Sequence, residues 1–175
     1  MEAKRILRTL IILTILSSNI GCDQITKNSV RQRMNYNEQI GFINNYLTIS
    51  KVENTGAFLS IGHSLPPPIK MLLLTILPLV VLGLALTYLL TNKNLSDITI
   101  LGICFVVGGG IGNIYDRLLY GSVTDFLHID FVLFQTGIFN MADVSIMVGM
   151  FMVLAEPYLN RSKLNYPAID KQGDE

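Results

Sequence analysis

Four long apolar blocks decide what this chain can fold into. They cover about residues 6–21, 69–90, 98–114 and 138–158. The second, IKMLLLTILPLVVLGLALTYLL, has a single Lys at its edge. A helix crossing the hydrocarbon core needs roughly 20 largely apolar residues, and this block meets that easily. The third (ITILGICFVVGGGIGNI) and fourth (IFNMADVSIMVGMFMVLAEPY) are long enough but carry polar residues. The first is short and is read as continuing in helix through Asp23 toward Lys27. The expected fold is therefore an all-α membrane protein with one integral membrane domain, 1–175, and four transmembrane helices at about 6–22, 69–90, 98–116 and 138–158. Composition agrees: half of the chain is hydrophobic and 15% is charged, against about 25% in an average globular domain. The formal net charge is zero, so nothing electrostatic favours nucleic acid.

Four crossings put both termini on one side. Lys4 and Arg5 precede the first block and Arg8 lies at its start, Lys93 separates the second from the third, and Arg161 and Lys163 follow the fourth. The positive-inside rule places all of these in the cytoplasm, with 161–175 as a cytoplasmic tail. Lys27, Arg31, Arg33 and Lys51 in the outer loop weaken that bias without reversing it. Cys22 and Cys104 form neither metal spacing nor a disulfide framework and are read as packing residues. Gly21-Cys22, after a basic start and an apolar run, imitates a lipoprotein cleavage site. Asn19 stands where such a site usually has Leu, and three more spans follow, so a retained first helix ending near Cys22 is expected.

Between the first two spans, about residues 36–63 form a β-rich extracytoplasmic segment, expected to lie on the membrane surface. YLTISKV alternates like a strand, and GAFLSIG is its expected partner across a turn at Glu53-Asn54. Pro66-Pro67-Pro68 stops the chain and launches the second span near Ile69. Asn94, Ser96 and Asp97 offer caps for the third helix. The apolar stretch LLYGSVTDFLHIDFVLFQTG either lies in the interface or forms a strand.

Polar groups inside or beside membrane spans are costly, so each needs a reason. Asp23 and Lys27, four apart, are either a helical pair or an exposed pair marking the end of the first span. Gly108 and Gly112 have the spacing that lets another helix approach closely. Asn113, Asp116 and Arg117 turn toward one side of the third helix, as a site or as interfacial anchoring. Asp125 and Asp143 should lie at one membrane face: the third helix exits near Arg117, and the fourth enters near Ile138. Asn140 shares a helical face with Asp143. Carboxyls brought close cannot easily both ionise, so such a pair shares a proton, as in an aspartic protease. Asp130 and His128 compete for a role in the same loop, and His63 and His128 are read as ordinary loop residues rather than metal ligands.

Together these clusters resemble the lipoprotein signal peptidases, the bacterial type II signal peptidase family of membrane aspartic endopeptidases. The likeness rests on DQITK, VENTGAF, GGGIGNIYDR, VTDF and FNMADVSI, in that order. It implies that Asp125 and Asp143 are a catalytic pair. It implies that Asn54, Asn113, Arg117 and Asn140 line the site or hold it, that Asp23, Lys27 and Gly56 lie near it, and that Asp116 is structural. It further implies cleavage of diacylglyceryl-modified prolipoproteins on the amino side of the lipidated Cys, at the extracytoplasmic face of the bacterial inner membrane. No metal or other cofactor is expected; the expected partners are the lipid-modified prolipoprotein, membrane lipids and the cyclic peptide inhibitor globomycin, and the chain is expected to act as a monomer. The chain departs from the family where Gly56-Ala57-Phe58 is tighter than the usual outer motif. Two other classes remain open on the residues alone: a small ion or proton-coupled transporter using Asp143 and Arg117, and a scaffold whose polar groups only join helices.

Overall fold

The computed structural model describes residues 2–36, 38–57, 61–131 and 133–164, the last five by backbone alone. Helix α1 (Glu2–Arg33) comes first, then strands β1 (Gln39–Phe42) and β2 (Leu47–Asn54). The second membrane helix is α2 (Pro67–Met71), a π-helical stretch Leu72–Ile76, and α3 (Leu77–Thr91). Helix α4 (Asp97–Tyr120), strand β3 (Val123–Ile129) and helix α5 (Met141–Leu164) complete it. Four helices are thus long and apolar enough to cross a membrane, as expected.

The first helix outruns its apolar block. Its 32 residues rise about 48 Å, well beyond the roughly 30 Å of hydrocarbon. It passes through Cys22 unbroken, and its polar end carries Asp23, Lys27 and Val30 as buried residues. The expected end near Cys22 is therefore corrected. So is the packing role of Cys22, which is exposed, whereas Cys104 is buried. The second helix begins two residues before Ile69, with Pro66 as N-cap and Pro67 in the first turn, where a missing N–H costs nothing. The π-helical stretch lies just before Pro78, which cannot donate to Leu74; the Leu77 N–H reaches back to the Leu72 carbonyl instead, widening the turn where the proline ring would collide. Ser96 caps α4 by accepting from the Thr99 N–H at 3.2 Å. Gly121, at φ +73°, ends α4 in the left-handed region that suits glycine. Helix α5 continues to Leu164, past the expected end at 158; of the expected tail, 165–175 lie outside the described residues.

Helix α4 is the central element, packed against α1, α3 and α5. Three successive glycines make this possible. A Cβ on Gly108 would meet Asn19 of α1, one on Gly109 would meet Ala142 of α5, and one on Gly110 would meet Leu82 of α3. Gly112 faces Asp23 of α1, so Gly108 and Gly112 do admit a neighbouring helix. Ile12, Leu16, Leu82, Leu89, Cys104, Val107 and Ile114 form the core of the bundle. Most of the outward apolar residues, such as Leu84, Phe151 and Leu154, remain exposed, as lipid-facing positions should.

The sheet is antiparallel, in the order β1-β2-β3. YLTISKV does contribute a strand, but its expected partner is wrong. Residues 56–57 bend and 61–64 turn, Phe58–Ser60 lie outside the described residues, and β2 pairs with β1 and β3 instead. Glu53 and Asn54 close β2 rather than forming a turn. The third strand comes from the VTDFLHI stretch, so His128 is a strand residue, not a loop residue. An irregularity between Ile49 and Val52 resets the register, so that Val52 lies opposite Asp125 and Asn54 opposite Val123. Val30 of the α1 extension and Met34, the residue just after it, pack against Phe126, joining helix to sheet.

Candidate active site

The connection after β3 folds back on itself. Phe131 N–H donates to the Phe134 carbonyl, and Phe139 exchanges hydrogen bonds with Leu127. This return places residue 140 beside β3 just before α5 begins. Asp125, on the strand, and Asp143, in the first turn of the helix, thereby enter one network. Asn140 joins them. Its Nδ2 donates to Asp125 Oδ1 at 2.6 Å, and its backbone N–H donates to Asp143 Oδ2 at 3.1 Å. Its Oδ1 accepts from the Asp143 N–H at 3.0 Å. Asn140 and Asp143 thus form a reciprocal capping box, which satisfies two N–H groups otherwise orphaned at the helix start. A carboxylate at this end of α5 also meets the positive end of the helix dipole.

Two other asparagines complete the cradle. Asn54 Nδ2 donates to Asp125 Oδ2 at 2.9 Å, while its Oδ1 accepts from the Gly56 N–H at 2.9 Å. Asn113 Nδ2 donates to Asp143 Oδ1 at 2.9 Å. Asn113 Oδ1 accepts from Lys27 Nζ at 2.9 Å and from Asn140 Nδ2 at 3.2 Å. Because an ammonium is donor-only, Lys27 fixes which way the Asn113 amide faces, and so directs its N–H toward Asp143. Arg117 Nη2 donates to the Gly56 carbonyl at 2.9 Å and ties the end of α4 to the outer segment. A cleft of about 470 Å³ beside Arg117 is lined by Thr55, Lys70 and Leu74, among others. All nine residues that the family resemblance puts in or near the site therefore lie in or beside one cluster. His63, in contrast, sits in an exposed turn, and Asp130 pairs with Gln135 across the hairpin.

Behind the asparagines lies a buried charge network. Lys27 is fully buried and meets Asp23 at 2.8 Å and Asp116 at 3.1 Å, which rules out the exposed-pair reading. Asp116 also pairs with Arg31 at 2.8 Å and accepts from the Thr124 N–H at 3.3 Å, anchoring the residue next to Asp125. Asp23 Oδ1 accepts from the Ala142 N–H at 2.9 Å, in the first turn of α5. Four residues here, Arg31, Glu53, Ser122 and Thr124, carried no site assignment from the sequence. Arg31 donates to Thr124 Oγ1 at 2.7 Å, and Glu53 accepts from Ser122 at 2.6 Å and Thr124 at 2.9 Å. Continuing the four-residue spacing from Asp23 and Lys27 would have found Arg31.

Asp125 is 3% exposed. Burial pushes its carboxyl up to about 6; the neighbouring Asp143 charge adds to this, while the Asn54 and Asn140 amides and the Lys27 ammonium pull it down. Two carboxyls with a common asparagine, one of them pushed up to about 6 and so keeping its proton further toward neutrality than an ordinary carboxyl, can supply an acid and a base to the same reacting centre.

A family profile described as "Signal peptidase (SPase) II" matches residues 15–159. The lipoprotein signal peptidase of Streptococcus pneumoniae is 33% identical over 144 residues, covering 82% of this chain and 90% of that protein. Its counterpart in Aquifex aeolicus is 30% identical over 153 residues, covering 87% and 88%. A bacterial membrane enzyme solved by the in meso method at 2.3 Å superposes with a TM-score of 0.76 over 94% of each chain. At 23% identity that likeness concerns the fold alone.

Proposed function

The chain belongs to the signal peptidase II family, and on that premise we propose that it is an aspartic endopeptidase whose dyad is Asp125 and Asp143. It is a multi-pass peptidase of the bacterial inner membrane that removes signal peptides from lipoproteins. The substrate is a prolipoprotein already carrying diacylglycerol on its Cys, cut on the amino side of that residue. Both termini face the cytoplasm, and the sheet and carboxylates face outward. The chain works as a monomer, since Asp125, Asp143 and the asparagines around them come from one polypeptide.

The observation that carries this reading is the bond pair from Asn140, at 2.6 Å to Asp125 and 3.1 Å to Asp143. In the proposed reaction Asp143 takes a proton from water as that water attacks the scissile carbonyl. Asp125, the more buried acid, holds the resting proton and gives it to the carbonyl oxygen. The tetrahedral intermediate then collapses: Asp143 passes its proton to the leaving nitrogen, the C–N bond breaks, and Asp125 recovers its own. Asn54, Asn113 and Asn140 hold the acids without supplying charge of their own. Arg117 holds the Gly56 segment over them, and Asp23 and Lys27 brace the helix that carries Asn113. The substrate's lipid keeps the scissile bond at the membrane surface, and that tethering supplies part of the rate.

The test is cleavage of a diacylglyceryl-modified lipobox peptide by the purified chain, compared with Asp125→Asn and Asp143→Asn. General acid and base catalysis each contribute about 100- to 10,000-fold, and losses of that size are expected in both variants. Retained globomycin binding would report an intact fold. EDTA should leave wild-type activity unchanged. Near-wild-type cleavage by either variant removes the dyad, and loss with EDTA replaces it with a metal.

A further inference from the structure

At the end of the bundle away from the carboxylates, the first turns of α1 and the last turn of α3 border an open cavity of about 640 Å³. Lys4, Arg5, Arg8 and Lys93 line it together with Glu2, and the exposed Leu90 forms its apolar side, with the buried Ile12 behind. Four cations facing one acid make it strongly electropositive. Fifteen residues of α1 separate Arg8 from Asp23, about 22 Å of helix, so the cavity is not a subsite of the peptidase centre. Arg8 is committed on one side only. Its Nη2 donates to the Leu89 and Asn92 carbonyls at 3.0 and 2.7 Å, closing the end of α3. Its Nε is buried with no acceptor in the protein.

We propose that this cavity binds one anionic phospholipid. Its phosphodiester pairs with Arg5 and Lys93, and an acyl chain lies against the exposed Leu90. Basic pockets between membrane helices suit such headgroups, and the apolar side distinguishes a lipid from a free anion. Diffuse attraction between basic loops and an anionic surface would give neither a fixed stoichiometry nor dependence on one cavity. The site goes beyond the peptidase reading and stands without it.

The experiment is native mass spectrometry of the full chain released from detergent. The chain is first incubated with phosphatidylglycerol or with phosphatidylcholine of the same acyl chains, with and without excess inorganic phosphate. One phosphatidylglycerol per chain is expected. The double variant Arg5→Gln/Lys93→Gln should weaken it about thirtyfold, toward the phosphatidylcholine level. Thermal unfolding of that variant in phosphatidylcholine nanodiscs should match wild type, while the rise in Tm given by phosphatidylglycerol disappears. Should the double variant fold poorly, Lys93→Gln alone should weaken phosphatidylglycerol about fivefold. Equal retention of the two lipids, or variants that hold phosphatidylglycerol like wild type, overturns the proposal. So does displacement of the lipid by inorganic phosphate, which would mark a free-anion site.

Discussion

Asn140 does two jobs that can be separated by substitution. Its side-chain oxygen caps α5, and its amide nitrogen donates to Asp125 at 2.6 Å. Asn140→Ser keeps a capping oxygen but removes the donor. A hydrogen bond to a charged group is worth about 1.5–3 kcal/mol, so kcat/KM should fall about 10- to 150-fold. The bond also pulls the Asp125 carboxyl down from where burial would put it. Without it that carboxyl rises above about 6, and the alkaline limb of the pH profile moves to higher pH. The deficit should therefore be largest in acid and narrow toward alkaline pH. Asn140→Ala removes the cap as well and should cost about 1 kcal/mol more in stability, with little further loss of activity. The assay is peptide cleavage across pH, with thermal unfolding of the same samples. An Asn140→Ser variant with wild-type kcat/KM and an unmoved profile would refute the coupling between cap and dyad.

Stability should also depend on pH through Asp125. Between about 4, where the unfolded carboxyl titrates, and about 6, the folded chain holds more protons, so stability falls as pH rises, by about 3 kcal/mol. Asp125→Asn, unable to titrate, should lack that part of the slope in unfolding curves. Lys27→Met leaves Asp23 and Asp116 without their shared cation and frees the Asn113 amide to turn; a loss of about 3–5 kcal/mol is expected, with cleavage falling too, and wild-type Tm in this variant would contradict the buried network. Gly109→Ala drives a Cβ into the Ala142 carbonyl and should cost about 1–3 kcal/mol, read by the same unfolding assay, while displacing the helix start that carries Asp143.

The apolar blocks were legible because membrane crossing demands length and apolarity, which any window of sequence displays. The polar end of α1 was not, because Asp23, Lys27 and Arg31 look solvent-exposed until Asp116, about ninety residues away, supplies the partner. The strand at YLTISKV was legible from alternation, but its neighbour β3 lies across two membrane helices, and local pattern names no partner at that distance. The convergence of Asp125 with Asp143 followed from topology; the bonds through Asn140 and Asn113 required coordinates. Glu53 and Thr124 carried no signal beyond being polar residues in a β-prone stretch.

The run Gly108-Gly109-Gly110 sets each of the other three helices against the same turn of α4. Two of them are synthesised before that turn exists and one after it. An emerging chain must therefore hold a half-built socket open until α5 enters the bilayer, and that helix brings Asp143 with it. On the proposed dyad, peptide cleavage therefore waits on the entry of α5, and a product that stops before this helix is a membrane protein without a working blade.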